Sequence, residues 1–425
     1  MPGARSLAEP ALGIFYIGAP MKICSLIRSV PAFPILWWCA WGPGAAAAAE
    51  KPTYEAELIF PQEKVHNHSS MIVELPGGEL FTVWYRGSGE RKADDVQLMY
   101  SRRSHRPGSR WSAPAVLADT PGFPDCNPTA FVDSRKRLWV IWPVILANEW
   151  HTALLKYRIS SRYADASRAP EWEVNEDLLF IPRNFAEKSI AAVEPLRRHA
   201  APGSREAKFI DDTIAHAQDK YFSRMGWMPR AHPVELPSGR ILIPLYSDGF
   251  DYSLMAITDD GGRTWTSSEP IVAFGAIQPA IARKRDGTLV TYLRDNGPAP
   301  KRLHMAESKD DGMTWSAVRD SEIPNPGSGA EVITLKDGRW ALIYNDTEKG
   351  RHSLAVAISN DEGATWKWKR HLELAEGNNY GYPSLIETGG GAMLHATYSY
   401  TTKAGQSIKH VRFNSAWVES GDSAK

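Results

Sequence analysis

The sequence predicts an all-β protein, a six-bladed β-propeller of four-stranded antiparallel blades carrying a short helical insertion. Three observations carry this. An octapeptide of pattern [ST]-x-D-x-G-x-T-W occurs at 258–265, 308–315 and 359–366, so its aspartates recur every 50 or 51 residues. Before each copy comes the same order: a short apolar strand, a turn, a second apolar strand and a third strand running into the octapeptide. A fourth short strand follows its Trp. Four strands per fifty or so residues is the unit of a propeller blade. Finally, the opening strand of that unit recurs six times, from His68, Asn127, Arg230, Gln278, Gly329 and Tyr382.

Taken in order, residues 1–49 read as an address. Lys22 and Arg28 precede an uncharged run that ends in five alanines, the layout of a secretory signal peptide. Met21 is a possible true start, and cleavage after Ala49 makes Glu50 the first mature residue. A membrane anchor is the alternative; Pro31, Pro34 and Pro43 weaken a spanning helix. The protein is thus expected to be exported, periplasmic or secreted, with no stable membrane insertion after cleavage. Residues 50–425 form one propeller. The last unit lacks a fourth strand, which 54–60 is expected to supply, closing the ring and leaving no sheet edge.

Each octapeptide makes sense as a tight turn. Asp260, Asp310 and Asp361 accept backbone N–H bonds, Gly262, Gly312 and Gly363 take positive φ, and Trp265, Trp315 and Trp366 return between neighbouring sheets. These residues are read as structural. Weaker copies at Ser101…Trp111 and Ser160…Trp172 account for two more of the 16 Trp. Residues 184–223 carry helix formers broken at Pro202-Gly203, a two-helix insertion that either caps the site or pads the outer surface.

Composition excludes several classes. Forty-nine basic against 49 acidic residues give no net charge and no footprint for nucleic acid. No glycine-rich phosphate loop is present, and no cofactor is expected. Cys126, the one Cys of the mature chain, reads as a small buried residue. His66-Asn-His68 lacks a third ligand at metal spacing, so no metal is assigned. The chain is expected to be a monomer.

In a propeller the first strands surround the axis, so His68, Asn127, Arg230, Gln278 and Tyr382 converge at one mouth, with Glu331 two residues beyond Gly329 on the same face. With the boxes and the six-unit layout, the chain resembles the sialidase (neuraminidase) superfamily, in its BNR/Asp-box branch, over residues 54–415. The resemblance implies an exo-glycosidase acting on a terminal acidic sugar. It implies arginines that clamp the substrate carboxylate, matched by Arg294 and Arg351; bidentate pairing explains the use of Arg. Its tyrosine nucleophile is matched by Tyr382. Its general acid falls in the first-blade loop after Arg86, where Asp94 is favoured over Asp95. Two positions depart from the pattern. The first-blade arginine is replaced by His66-Asn-His68, and the glutamate opening the fourth blade is replaced by Gln278. Gln is no base, so Glu331 or a histidine has to serve, and Arg230 offers a third cation. Such a pocket suits a sialic acid or a uronate. Two further readings follow: a polysaccharide lyase in which His68 or Tyr382 removes the proton beside a uronate carboxylate, and a glycan-binding propeller without catalysis.

Overall fold

The computed structural model describes residues 50–391 and 393–422, so the expected signal segment lies outside the described residues. Six antiparallel sheets surround an axis. Blade 1 comprises His66–Leu75, Glu79–Gly87, Gln97–Arg103 and Ala115–Ala118, from the axis outward. Blade 2 comprises Thr129–Val132, Leu138–Ile145, Ala153–Ser160 and Val174–Asp177. Blade 3 has a split inner strand: Met228–Pro229 and Val234–Glu235 both pair with Ile241–Ser247, followed by Tyr252–Thr258 and Thr266–Ser267. Blade 4 runs Ala276–Arg283, Leu289–Asp295, Arg302–Ser308, Arg319–Pro324, and blade 5 runs Glu331–Thr334, Trp340–Tyr344, Ser353–Ser359, Trp368–Leu374.

Blade 6 is assembled from both ends of the described chain. Asn379–Thr388, Met393–Thr402 and Gly405–Phe413 are completed by Tyr54–Leu58, with Tyr54 opposite Phe413 and Leu58 opposite Lys409. The ring is closed as the sequence predicts, and no inner or outer strand of that seam is left unpaired.

The blades alternate apolar residues on both faces because each sheet is covered on both sides. Six buried clusters result, one at each blade interface. Between blades 2 and 3, for instance, Trp139, Ile141 and Tyr157 meet Trp227, Ile243 and Tyr252. The octapeptides seal these interfaces from the outside. In the third-blade copy, Asp260 accepts from the Arg263 and Thr264 amides at 2.9 and 3.0 Å and from the Thr264 hydroxyl at 2.6 Å. The Thr258 hydroxyl bonds to Asp260 at 2.8 Å and takes the Gly262 amide at 2.9 Å. Asp310 and Asp361 repeat the scheme. Trp265 packs edge-on to Trp139 of the preceding blade and Trp366 to Tyr292.

The insertion forms the helices Phe185–Val193, Arg205–Gln218 and Lys220–Arg224, with a 3-10 turn at Glu194–His199. Ser204 caps the long helix through the Ala207 amide, and Asp219 caps the short one through Tyr221 and Phe222. Phe185 enters the blade 2–3 core against Trp227 and Phe250. Phe209 meets Phe274, and Phe222 meets His151. The helices therefore brace the loops at 150–152, 250–252 and 274 rather than roofing the axis.

Candidate active site

One backbone device, repeated around the axis, aims side chains into the mouth. In blade 4 the register passes from Ile277 opposite Arg294 to Ala280 opposite Tyr292, leaving an extra residue on the inner strand. Blade 6 does the same between Gly381 and Ser384, and blade 1 between His68 and Met71. The bulged residues Gln278, Tyr382 and Ser69 hold φ of 54°, 52° and 57°, and Asn127 of blade 2 holds 39°. Non-glycine residues seldom adopt this region, and each instance costs about 1–3 kcal/mol. Four around one mouth mark a place where side-chain direction outweighs backbone comfort.

This register corrects the sequence alignment in blade 1. Ser69, not His68, occupies the bulge; its amide bonds to Ser399 and its hydroxyl is buried without a partner. His68, one residue earlier, still reaches the mouth.

A cavity of about 290 Å³ lies there, lined by His68, Tyr85, Glu90, Asn127, Trp150, Tyr246, Asp248, Gln278, Arg294, Asn296, Arg351 and Tyr382. Its walls are the inner-strand bulges and the loops joining second to third strands. The octapeptides join third to fourth strands and so stand at the other end of the propeller.

Tyr382 is the centre of the arrangement. Its hydroxyl accepts from Gln278 Nε2 at 2.9 Å and from Arg294 Nη1 at 3.3 Å. Arg351 lies over its ring at 5.3 Å and donates to the Gly327 carbonyl. His68 packs on the same ring at 4.3 Å. Burial, then the neighbouring His66, push the His68 imidazole well below its usual range, so it is neutral near pH 7. Asn127 donates to Tyr246 at 3.4 Å.

Other expected residues fall elsewhere. Arg230 lies behind Tyr382, not in the cavity lining. Its guanidinium sits 4.9 Å from the ring centroid and donates to the Pro383 carbonyl at 2.5 Å, while Nε and Nη1 are buried without partners. Gly329 makes room for this, since a Cβ there would stand 2.9 Å from Gln278 Oε1 and 3.1 Å from Arg230 Nε. Glu331 faces the axis below. Blade 5 has no bulge to turn it toward the mouth, and its carboxylate takes the His232 amide and ring and the Leu385 amide. Both oxygens are committed, so it does not serve Tyr382 as a base. Arg86 is drawn away by Glu63 at 2.9 Å. Asp94 is exposed and accepts from Asn148, and Asp95 caps the turn at Ser88. Neither lines the cavity.

The carboxyls that do are Glu90 and Asp248. Glu90 accepts from Tyr85 at 2.9 Å and lies 3.3 Å from His66 Nε2. The His66 hydrogen bond, against the cost of burial, holds its carboxyl down to about 2. Asp248 is open to water in the recess, yet the surrounding protein penalises its charge and raises it to about 6, with Arg294 opposing. Sequence reasoning missed Asp248, Tyr246, Glu90, Tyr85, Asn296 and Trp150. The signal for Asp248 and Tyr246 was present: they leave the second strand of blade 3 as Arg294 and Asn296 leave that of blade 4.

Among the described residues no group of three His, Cys, Asp or Glu is placed to hold a metal, and no helix is long and apolar enough to cross a membrane.

A family profile described as a BNR repeat-like domain matches residues 218–396. A sialidase of Bacteroides fragilis (strain YCH46) is 32% identical over 135 residues, which is 30% of this chain and 24% of that protein. An anhydrosialidase of Macrobdella decora is 28% identical over 175 residues, 35% of this chain and 22% of that one. The matches thus span about a quarter of the length of these relatives. A leech intramolecular trans-sialidase structure, solved with 2,7-anhydro-Neu5Ac, superposes with a TM-score of 0.64 at 14% identity, covering 86% of this chain and 71% of the other. The chain thus carries BNR repeat-like sequence over residues 218–396 and is similar to sialidases, and its closed six-bladed ring is a fold it shares with the leech enzyme.

Proposed function

We propose that the protein is a sialidase-like glycosidase that releases a terminal acidic sugar from a glycan. The observation that carries this is the Tyr382 hydroxyl, held by Gln278 and Arg294 inside a recess sized for one sugar ring, with Arg351 alongside. Arg294 and Arg351 come from neighbouring blades and share the substrate carboxylate. Asp248, protonated below about pH 6, gives its proton to the leaving oxygen as the glycosidic bond breaks. Tyr382 oxygen bonds to the anomeric carbon. Its proton passes to His68, the neutral imidazole packed on the ring. Water then attacks the anomeric carbon, Asp248 takes its proton, and His68 returns a proton to the departing phenolate. Gln278 cannot accept that proton; it orients the oxygen.

The test is hydrolysis of fluorogenic acidic-sugar glycosides, with Tyr382→Phe as control. We expect release by the wild type and a loss of at least about a thousandfold in the variant, as for other covalent nucleophiles, with unchanged thermal unfolding. Full activity in Tyr382→Phe would sink the assignment.

A uronate lyase is the second reading, favoured by neutral His68 beside Tyr382 and by Gln278 in place of a base. An unsaturated, ultraviolet-absorbing product would establish it over hydrolysis. We also place the protein outside the cytoplasm, as a monomer, on the character of residues 1–49 and the closed ring; N-terminal sequencing of the purified protein and light scattering test both.

A further inference from the structure

One buried cation beside Tyr382 has no answering charge in the resting protein. Arg230 is 1% exposed, lies outside the cavity lining and donates once, to the Pro383 carbonyl. Among the described residues its Nε and Nη1 have no partner. Glu331 attracts it only through space, and Glu331 is already answered. His232 has the Glu331 carboxylate on Nδ1 at 2.6 Å and the Ile72 carbonyl on Nε2 at 2.8 Å. Both of those partners are acceptors, so both ring nitrogens carry protons and the ring is an imidazolium. Arg294 and Arg351 line the cavity together with Glu90, and on the glycosidase reading they take the substrate carboxylate. Arg230 is left over. A cation buried in this way is expensive to keep, and a guanidinium does not give up its proton to escape the cost.

Two phenols beside it can turn anionic, Tyr382 and Tyr246. Burial drives the Tyr246 hydroxyl well above its usual range, so it stays neutral. The Tyr382 ring has the Arg230 guanidinium carbon 4.9 Å from its centroid. We propose that Arg230 is a positioning residue for the reaction, a buried counter-charge that acts through Tyr382 by holding the phenolate that forms when its proton leaves. This rests on the glycosidase reading above and adds a group that never meets the substrate. A resting phenol draws little on the cation, whereas the phenolate draws on it fully. The attraction is therefore stronger as Tyr382 attacks and departs than in the resting protein, which is the kind that lowers barriers. Burial keeps water from screening the charge. It also keeps the substrate carboxylate from taking it. Gln278, which holds the same oxygen at 2.9 Å, supplies direction without charge.

The experiment compares Arg230→Lys, which keeps a charge, with Arg230→Met and Arg230→Gln, which do not. Rates are measured on the 4-methylumbelliferyl glycosides of N-acetylneuraminic acid and glucuronic acid, using whichever the wild type cleaves. They are taken per folded molecule, from urea unfolding curves. We expect the uncharged variants to lose about a hundredfold in kcat with no rise in KM, because the residue does not touch the substrate. Arg230→Lys should recover at least about tenfold of that loss. An uncharged variant with wild-type kcat overturns the proposal. So does Arg230→Lys no faster than the uncharged variants, for the residue then acts by its shape. A rise in KM that accounts for the loss overturns it as well, for the residue then binds substrate. In all three cases wild-type turnover leaves the glycosidase reading standing. Turnover of neither glycoside by the folded wild type overturns both.

Discussion

Two carboxyls in one small recess are driven to opposite states by their surroundings. Glu90 receives a histidine hydrogen bond and stays ionised; Asp248 has no donor of its own and is raised to about 6. The pair therefore divides into one group that is charged throughout and one that keeps its proton only below about pH 6. Turnover should fall as pH rises through about 6, when Asp248 loses its proton. Asp248→Asn should abolish that descending limb and cost about 10²–10⁴ in kcat on substrates with poor leaving groups. Activated aryl glycosides should lose much less; a uniform loss on both would argue against proton donation. Tyr382, Gln278, Asn127 and His68 were legible as cavity-lining residues from the strand-opening register, and Arg294 and Arg351 from the resemblance. The proposed acid, Asp248, was not legible. Glu90, Asp94 and Asp95 share one loop, and only the hydrogen bonds show that Asp95 turns back to Ser88 while Glu90 turns in. Asp248 was missed because the register was followed along inner strands only.

At the level of the element, the octapeptide and the bulge are devices at opposite ends of the propeller, the boxes on blades 3, 4 and 5 and the inner-strand bulges on blades 1, 4 and 6. The box satisfies its own turn and lodges its glycine against the blade before it. Gly363 has φ 82°, and a Cβ there would meet Tyr292 Oη at 2.6 Å and Trp340 Cζ3 at 2.8 Å. Gly363→Ala should destabilise the fold by about 2–4 kcal/mol through overpacking and the left-handed backbone. Urea unfolding measures this, and kcat of the folded fraction should not change, since the mouth is at the far end. A loss of kcat without loss of stability would mean that the boxes reach the site. The boxes were readable from sequence because their chemistry is local. The bulges were not, because nothing in Gln278-Pro or Tyr382-Pro by itself announces an unpaired residue; the register with the second strand defines it.

Across the whole molecule, the axis is locked below the cavity by a buried ion pair that joins four blades. Glu331 of blade 5 holds His232 of blade 3 and the Leu385 amide of blade 6, while His232 bonds to the Ile72 carbonyl of blade 1. Burial opposes the charge on His232, but Glu331 outweighs it and raises the imidazole; His232 and Arg230 likewise outweigh burial at Glu331 and lower it. The His232 share of stability is complete below about pH 6.5 and is lost as pH rises through its higher folded value. The Glu331 share is complete above about pH 4.3 and is lost as pH falls through its lower folded value. Glu331→Gln should cost about 3–5 kcal/mol and flatten the dependence of unfolding free energy on pH above about 6.5 and below about 4.3. A variant as stable as the wild type would remove the lock. The seam in blade 6 has a different consequence, one of timing. Its outermost strand, Tyr54–Leu58, is among the first described residues a ribosome makes, and its partner, Gly405–Phe413, among the last. Five blades can form in turn as the chain emerges, but the first strand must wait, unpaired, until residues 405–413 have been made. Until then the nascent protein is an open crescent with one exposed sheet edge, and helpers that bind such edges would find it there.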